Sequence, residues 1–135
     1  MLAAIIPTRV HAVMDYAVGA LLIAAPWIFQ FADESSAAKW ISIIVGVVII
    51  LQSAMTNYEG GFLGHAVSMP MHLATDALIG LFLAVSPWLF GFADEGTNAW
   101  LPFVAIGLAE LGLAAITNPM PGDRSHRARE ASRAV

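Results

Sequence analysis

Long apolar segments alternate with short polar ones along the whole of this 135-residue chain. A membrane-spanning helix needs about 20 mostly apolar residues to cross about 30 Å of hydrocarbon, and four segments meet that length, at 9–29, 37–56, 70–90 and 98–117. Short acidic turns follow the first and third segments, and a stretch with three glycines, which disfavour continuous helix, follows the second. The pattern predicts an all-α integral membrane protein with four transmembrane helices.

Composition strengthens this interpretation. Hydrophobic residues make up 59% of the chain and charged residues only 12%, whereas about a quarter of the residues of a soluble domain are charged. Cysteine is absent, which excludes disulfides, thiolate metal sites and cysteine nucleophiles.

The basic residues predict the orientation, because cytoplasmic loops carry an excess of lysine and arginine. With four spans, the two termini and the 59–69 linker share one side of the membrane. Five arginines lie on that side and one lysine lies on the other: Arg9, Arg124, Arg127, Arg129 and Arg133 against Lys39. We therefore expect cytoplasmic termini, a cytoplasmic linker and outward-facing acidic turns. An aromatic belt is predicted near the outer boundary, formed by Trp27, Trp40, Trp88 and Trp100.

The chain contains an internal repeat. A shift of 61 residues aligns the two halves without a gap, and it matches identical residues in both helices of each half. We divide the chain into repeat 1 (1–58), the linker (59–69), repeat 2 (70–118) and a basic cytoplasmic tail (119–135). Because each repeat has an even number of spans, both insert in the same orientation. The expected architecture is two tandem parallel-repeat helical hairpins, related by a pseudo-two-fold axis along the membrane normal.

A Pro-Trp motif ends the first helix of each repeat. Repeat 2 carries it as Ser86-Pro87-Trp88 and repeat 1 as Ala25-Pro26-Trp27. Over about residues 11–118, the sequence resembles the SPW-repeat family of bacterial integral membrane proteins, whose hallmark is Ser-Pro-Trp in the first of two membrane helices per repeat. The resemblance implies this fold and the bacterial cytoplasmic (inner) membrane, and it carries no biochemical activity. The alanine at 25 shows that the serine hydroxyl is not essential in both copies.

Most of the repeated positions in the first helix share one face. Residues 11, 15, 19, 22, 26 and 29 step by 4, 4, 3, 4 and 3, which keeps them on one helical stripe. We predict that this stripe packs inside the protein, with Trp27 and Trp88 off it at the lipid interface. Pro26 and Pro87 should kink or end their helices. Close helix approach is predicted at four glycines, Gly19, Gly46, Gly80 and Gly107.

Two histidine–aspartate pairs, His11–Asp15 and His72–Asp76, lie at i,i+4 spacing near the cytoplasmic helix ends. A carboxylate in hydrocarbon costs about 2.5–3.5 kcal/mol on insertion scales unless it is paired or hydrated. We favour a local hydrogen bond within each pair that fixes helix packing. A proton-responsive histidine is one alternative. A shared metal site is another; it would require both pairs to converge on the pseudo-axis, which the sequence cannot show, and we predict no metal ligand.

Glu110 has no copy in repeat 1, where Ile49 takes its place. It lies eight residues before Asn118, or about 12 Å along a helix, while Asp76 lies six residues after Pro70, or about 9 Å. At these similar depths Glu110 could meet His72 or His11 and complete a polar layer. The alternatives are a protonated acid bonded within the bundle or a docking point for another protein.

No catalytic, cofactor-binding or nucleophilic pattern is readable, so we expect neither an enzyme nor a cofactor, and no nucleic-acid partner. The favoured hypothesis is a small non-catalytic membrane protein. It would act as an accessory or scaffold subunit that packs in the lipid bilayer against other membrane proteins or copies of itself. The competing hypothesis is a proton- or ion-conducting channel or transporter subunit that uses the polar layer of His11, Asp15, His72, Asp76 and Glu110.

Overall fold

The computed structural model describes residues 5–120 and 130–134. Four helices account for most of this part of the chain: α1 (Thr8–Ile28), α2 (Ser36–Ala54), α3 (Met69–Leu89) and α4 (Thr97–Ile116). Each is long and apolar enough to cross a membrane, which confirms the predicted all-α integral membrane fold. The tail arginines Arg124, Arg127 and Arg129 lie outside the described residues.

The helices pack as two hairpins, α1 on α2 and α3 on α4, as the repeat predicts. Within each hairpin the backbones meet at the predicted glycines. A Cβ added to Gly46 would lie 2.6 Å from the carbonyl oxygen of Gly19, and one added to Gly107 would lie 2.5 Å from that of Gly80. Both distances are too short for any side chain, so these positions set the separation between the helices.

The first helix of each repeat ends at its Pro-Trp motif. Pro26 and Pro87 are buried, and each helix ends two residues beyond its proline, at Ile28 and Leu89. The Pro26 carbonyl accepts 2.9 Å hydrogen bonds from the backbone N–H groups of residues 31 and 32, which turns the chain back toward α2. The motif is therefore a helix stop followed by a tight return.

The tryptophans lie at the same end of the bundle. Trp27 and Trp88 are 58% and 64% exposed, which places them off the buried stripe, as expected for side chains at a lipid interface. Trp88 packs on Trp100 with ring centroids 6.5 Å apart. The ammonium group of Lys39 lies 5.7 Å from the Trp40 ring centroid.

An aromatic layer joins the two hairpins near this end. Phe31 and Phe92 follow the two Pro-Trp turns, and both are fully buried against Phe103, at ring-centroid distances of 6.0 and 4.8 Å. The amide of Asn98 donates to the backbone carbonyl of Phe29 and to the carboxylate of Glu34. The hairpins are thus linked by aromatic packing and by polar contacts between their acidic turns.

At the opposite end, the hairpins are joined by two short backbone pairings related by the 61-residue shift. Ile6 pairs with Thr117, and Thr56 pairs with Val67. Because Thr56 pairs with Val67, α2 ends at Ala54, two residues earlier than the sequence predicts. These pairings bring the segment that precedes the first helix of each repeat against the end of the other repeat.

Candidate functional site: a buried histidine–aspartate cluster

The four side chains of the two predicted pairs meet in a single group, here called the His–Asp cluster: His11, Asp15, His72 and Asp76. All four are at most 1% exposed. Asp15 lies seven residues into α1, so the cluster is about 10 Å along the helix from Thr8. One ligand-type atom from each side chain lies within 4.8 Å of those of the other three.

Each histidine contacts the aspartate of its own helix and the aspartate of the other repeat. His11 Nε2 lies 3.0 Å from Asp15 and 2.9 Å from Asp76. His72 Nε2 lies 3.1 Å from Asp15 and 3.0 Å from Asp76. The two members of each pair are thus in contact, but the predicted hydrogen bond within each pair is not formed. His11 Nε2 instead bonds to Asp76 of the other repeat, and His72 Nε2 has no hydrogen-bond partner among the described residues. Pairing of this kind offsets the cost of placing a carboxylate in hydrocarbon.

Two threonines fix the orientation of the imidazole rings. The hydroxyls of Thr56 and Thr117 each donate to the backbone carbonyl four residues earlier, at 2.7 and 2.6 Å. A hydroxyl has one proton, so each threonine oxygen must accept from the histidine that it contacts. Thr56 lies 2.7 Å from His72 Nδ1, and Thr117 lies 2.8 Å from His11 Nδ1. Both Nδ1 atoms therefore carry a proton, and both Nε2 atoms face the carboxylates.

The two carboxylates also accept hydrogen bonds from side chains that surround the cluster and have no copy in the other repeat. Tyr58 and Ser53 donate to Asp15 Oδ2 at 2.9 and 3.2 Å. Gln52 donates to Asp76 Oδ1 at 2.8 Å. Burial, and then the nearby Asp15 charge, raises the pKa of the Tyr58 phenol, so Tyr58 stays protonated and remains a donor.

The linker between α2 and α3 closes this end of the bundle over the cluster. Thr8 donates to the Glu59 carboxylate at 2.5 Å, and the Tyr16 hydroxyl donates to the Gly60 carbonyl at 2.7 Å. Ala12, Tyr58 and Met69 form a small buried apolar group beside it. The polar side chains are therefore enclosed by protein.

Glu110 is only 2% exposed, and its Cβ lies 3.1 Å from the position that a Cβ on Gly80 would occupy. Within the part of the chain that the structure describes, it makes no hydrogen bond or ion pair with His11 or His72. Instead, it lines a groove between α1 and α4 together with Met14, Val18, Ala109, Gly112, Leu113 and Ile116. The cluster thus has four ionisable members, with Glu110 outside it.

The residues around the cluster were the hardest part of the site to predict. Thr56 and Thr117 match each other at the 61-residue shift. The repeat therefore marked both threonines as shared positions, whereas the spacing of the charged residues gave no indication of them. Gln52, Ser53 and Tyr58 have no such copy, because their counterparts are Leu113, Ala114 and Pro119. Only the fold brings these three to the carboxylates.

The family model described as the SPW repeat domain matches residues 9–117, which is well over half of the chain. Neither a search of curated proteins nor a search of solved structures found a match.

Proposed function

The chain belongs to the SPW-repeat family, and from that premise we propose that it is a non-catalytic membrane subunit. In this proposal it packs against other membrane proteins or against copies of itself, as an accessory or scaffold component. The protein is a multi-pass membrane protein with four helices long and apolar enough to cross the bilayer.

Glu110 is the observation that carries this proposal. Hydrocarbon offers no hydrogen-bond partner, so a carboxyl group at membrane depth needs a donor or acceptor from protein. The described part of the chain supplies none to Glu110, whose side chain borders the α1/α4 groove. A neighbouring helix that lies in this groove could supply the missing partner.

The His–Asp cluster supports a rigid scaffold. It joins α1 to α3 through contacts of 2.9–3.1 Å, and its outer atoms are hydrogen-bonded to threonine, tyrosine, serine and glutamine side chains. Hydrogen bonds from four helices or their flanking turns to one buried group favour a single arrangement of the helices. The outer helix faces are then presented to lipid or partners in a fixed arrangement.

The experiment is native mass spectrometry of the protein in membrane-derived nanodiscs. We expect the wild type as a defined oligomer or a stoichiometric complex, and Glu110→Leu as the free monomer. Leu78→Ala is the matched control, because Leu78 is 68% exposed on α3, away from the groove, and it should leave the assembly intact. A monomeric wild type, or an assembly unchanged by Glu110→Leu, would contradict the proposal.

A second candidate is a proton- or ion-conducting subunit, favoured by the convergence of four ionisable side chains within the membrane-spanning helices. Ionisable residues in such positions mark ion and proton pathways in many membrane proteins. This candidate predicts proton flux in liposomes that is lost in Glu110→Gln and Asp76→Asn. Flux equal to that of protein-free liposomes would exclude it.

We further propose that the protein lies in the bacterial cytoplasmic membrane with both termini in the cytoplasm. Arg9 lies at the end of the bundle that holds the His–Asp cluster, and Lys39 lies at the tryptophan end. The sequence assigns five arginines to the side of the termini and the linker, and this excess supports the cytoplasmic assignment.

A further inference from the structure

Two buried atoms of the His–Asp cluster have no hydrogen-bond partner within the described chain: Asp15 Oδ1 and His72 Nε2. His72 Nε2 lies only 3.0 and 3.1 Å from the two aspartates, but without the alignment that a hydrogen bond needs. Buried polar atoms are nearly always satisfied. These two, both directed into the cluster, therefore indicate a missing ligand.

The inward-facing atoms form a consistent set of donors to a cation. Nδ1 of each histidine is protonated toward its threonine, so a cation that displaces the proton from Nε2 would meet the Nε2 lone pair of a neutral imidazole. Asp15 Oδ2 accepts from Tyr58, and Asp76 Oδ1 accepts from Gln52. The other two oxygens, Asp15 Oδ1 and Asp76 Oδ2, therefore remain for a ligand at the centre of the cluster. Two nitrogens and two carboxylate oxygens thus face one another.

We propose that the His–Asp cluster binds one divalent transition-metal cation. The ligands are Nε2 of His11 and His72, Oδ1 of Asp15 and Oδ2 of Asp76. Two carboxylates balance the two positive charges, so the occupied site is neutral, which favours its position within hydrocarbon. The proposal does not depend on the scaffold role proposed above.

The spacing suits a tetrahedral ion such as Zn²⁺. Bonds of about 2.0–2.2 Å to nitrogen and oxygen place ligand atoms about 3.4 Å apart in a tetrahedron. The proposed ligand atoms are in contact at 2.9–3.0 Å from histidine nitrogen to aspartate oxygen, and one ligand-type atom from each of the four residues lies within 4.8 Å of the others; the value of about 3.4 Å lies between these limits. Side-chain shifts of a few tenths of an ångström would therefore accommodate the ion.

The outer hydrogen bonds complete the case. Metal-binding histidines almost always donate their second ring N–H to an oxygen, which fixes tautomer and orientation. Thr56 and Thr117 accept from the two Nδ1 atoms in this way. The mixed imidazole and carboxylate set favours a first-row transition metal over Mg²⁺ or Ca²⁺, which take oxygen ligands.

The test uses the full-length protein, purified in detergent without a histidine tag and stripped with chelator. Calorimetric titration with Zn²⁺ should give one equivalent bound per chain, and Mg²⁺ should not compete. Co²⁺ should give the intense visible absorption of a four-coordinate ion. Absence of saturable Zn²⁺ binding, or only the weak spectrum of octahedral Co²⁺, would overturn the proposal.

Three variants separate this site from other histidines. Asp76→Asn should abolish stoichiometric binding, and Thr56→Val, which keeps all four ligands, should weaken Zn²⁺ binding about 10–100-fold. His65→Asn is the control, because His65 is exposed in the linker, and it should bind as the wild type does. Unchanged affinity in Thr56→Val and Asp76→Asn, or loss of binding in His65→Asn, would place the metal elsewhere and refute the assignment.

Discussion

Thr56 and Thr117 decide how His11 and His72 use their two ring nitrogens. Each threonine gives its one hydroxyl proton to its own helix and accepts from Nδ1, so the Nε2 atoms are left for the aspartates. The sequence predicted the four ionisable residues, because i,i+4 spacing places each pair on one helix face, but the hydrogen bond predicted within each pair is replaced by a contact of 3.0 Å without hydrogen-bond geometry. It could not predict the cross-repeat contacts or the donors from Gln52, Ser53 and Tyr58, because these depend on how the hairpins dock.

At this scale we predict that Thr56→Val destabilises the protein by about 1–2 kcal/mol, since a buried Nδ1–H loses its acceptor. The measurement is the free energy of unfolding by steric trapping in bicelles. Thr75→Val is the matched control, because the exposed Thr75 hydroxyl bonds to a backbone carbonyl of its own helix and to no member of the cluster among the described residues. Equal stability losses in the two variants would argue against the role assigned to Thr56.

The helices themselves are determined largely by sequence-local features. Apolar length predicted four spans, and the observed helices begin and end within two residues of the predicted limits. The main deviation, the early end of α2, comes from the Thr56–Val67 backbone pairing, a contact between segments that hydropathy cannot detect. The sequence predicted that the glycines lie at helix contacts, because small residues allow close approach of membrane helices. Which glycine faces which is known only from the structure.

Gly46→Ala and Gly107→Ala should each lower the free energy of unfolding by about 1–3 kcal/mol, because the added methyl group would clash with backbone atoms of the facing helix. The same unfolding measurement tests this. Gly112→Ala, in the same helix as Gly107, is the control for the dispersed single chain: nothing in that chain lies within 4 Å of the added Cβ, so its free energy of unfolding should be unchanged or slightly higher. A cost for Gly112→Ala as large as that for Gly107→Ala would show that close packing is not the cause.

The whole molecule is two copies of one hairpin whose contacts largely obey the repeat. The pairings Ile6–Thr117 and Thr56–Val67 are related by the 61-residue shift, and so are the contacts from His11 to Asp76 and from His72 to Asp15. The gapless repeat predicted two hairpins of the same orientation. Glu110 departs from the symmetry, and its position at a groove could not be deduced from depth along the helix, because depth does not specify the direction of a side chain.

At the scale of the molecule we predict that both acidic turns face away from the cytoplasm. Since the chain has no cysteine, single-cysteine variants can be labelled in intact cells with a membrane-impermeant maleimide. Glu95→Cys, in an outer turn, should be labelled, and Ala66→Cys, in the linker, should react only after the cells are opened. The reverse pattern would invert the proposed topology.

The most direct test of the central claim, that the His–Asp cluster holds the two repeats together, is a double-mutant cycle between them. Unfolding free energies would be measured with chelator present for His11→Gln, Asp76→Asn and the double variant, so that only protein contacts contribute. The cycle of His11→Gln with Asp33→Asn, in an exposed acidic turn, provides the baseline. We predict a coupling energy of about 1–3 kcal/mol for His11 with Asp76 and additivity for His11 with Asp33. Coupling below about 0.5 kcal/mol in the first cycle would contradict the claim.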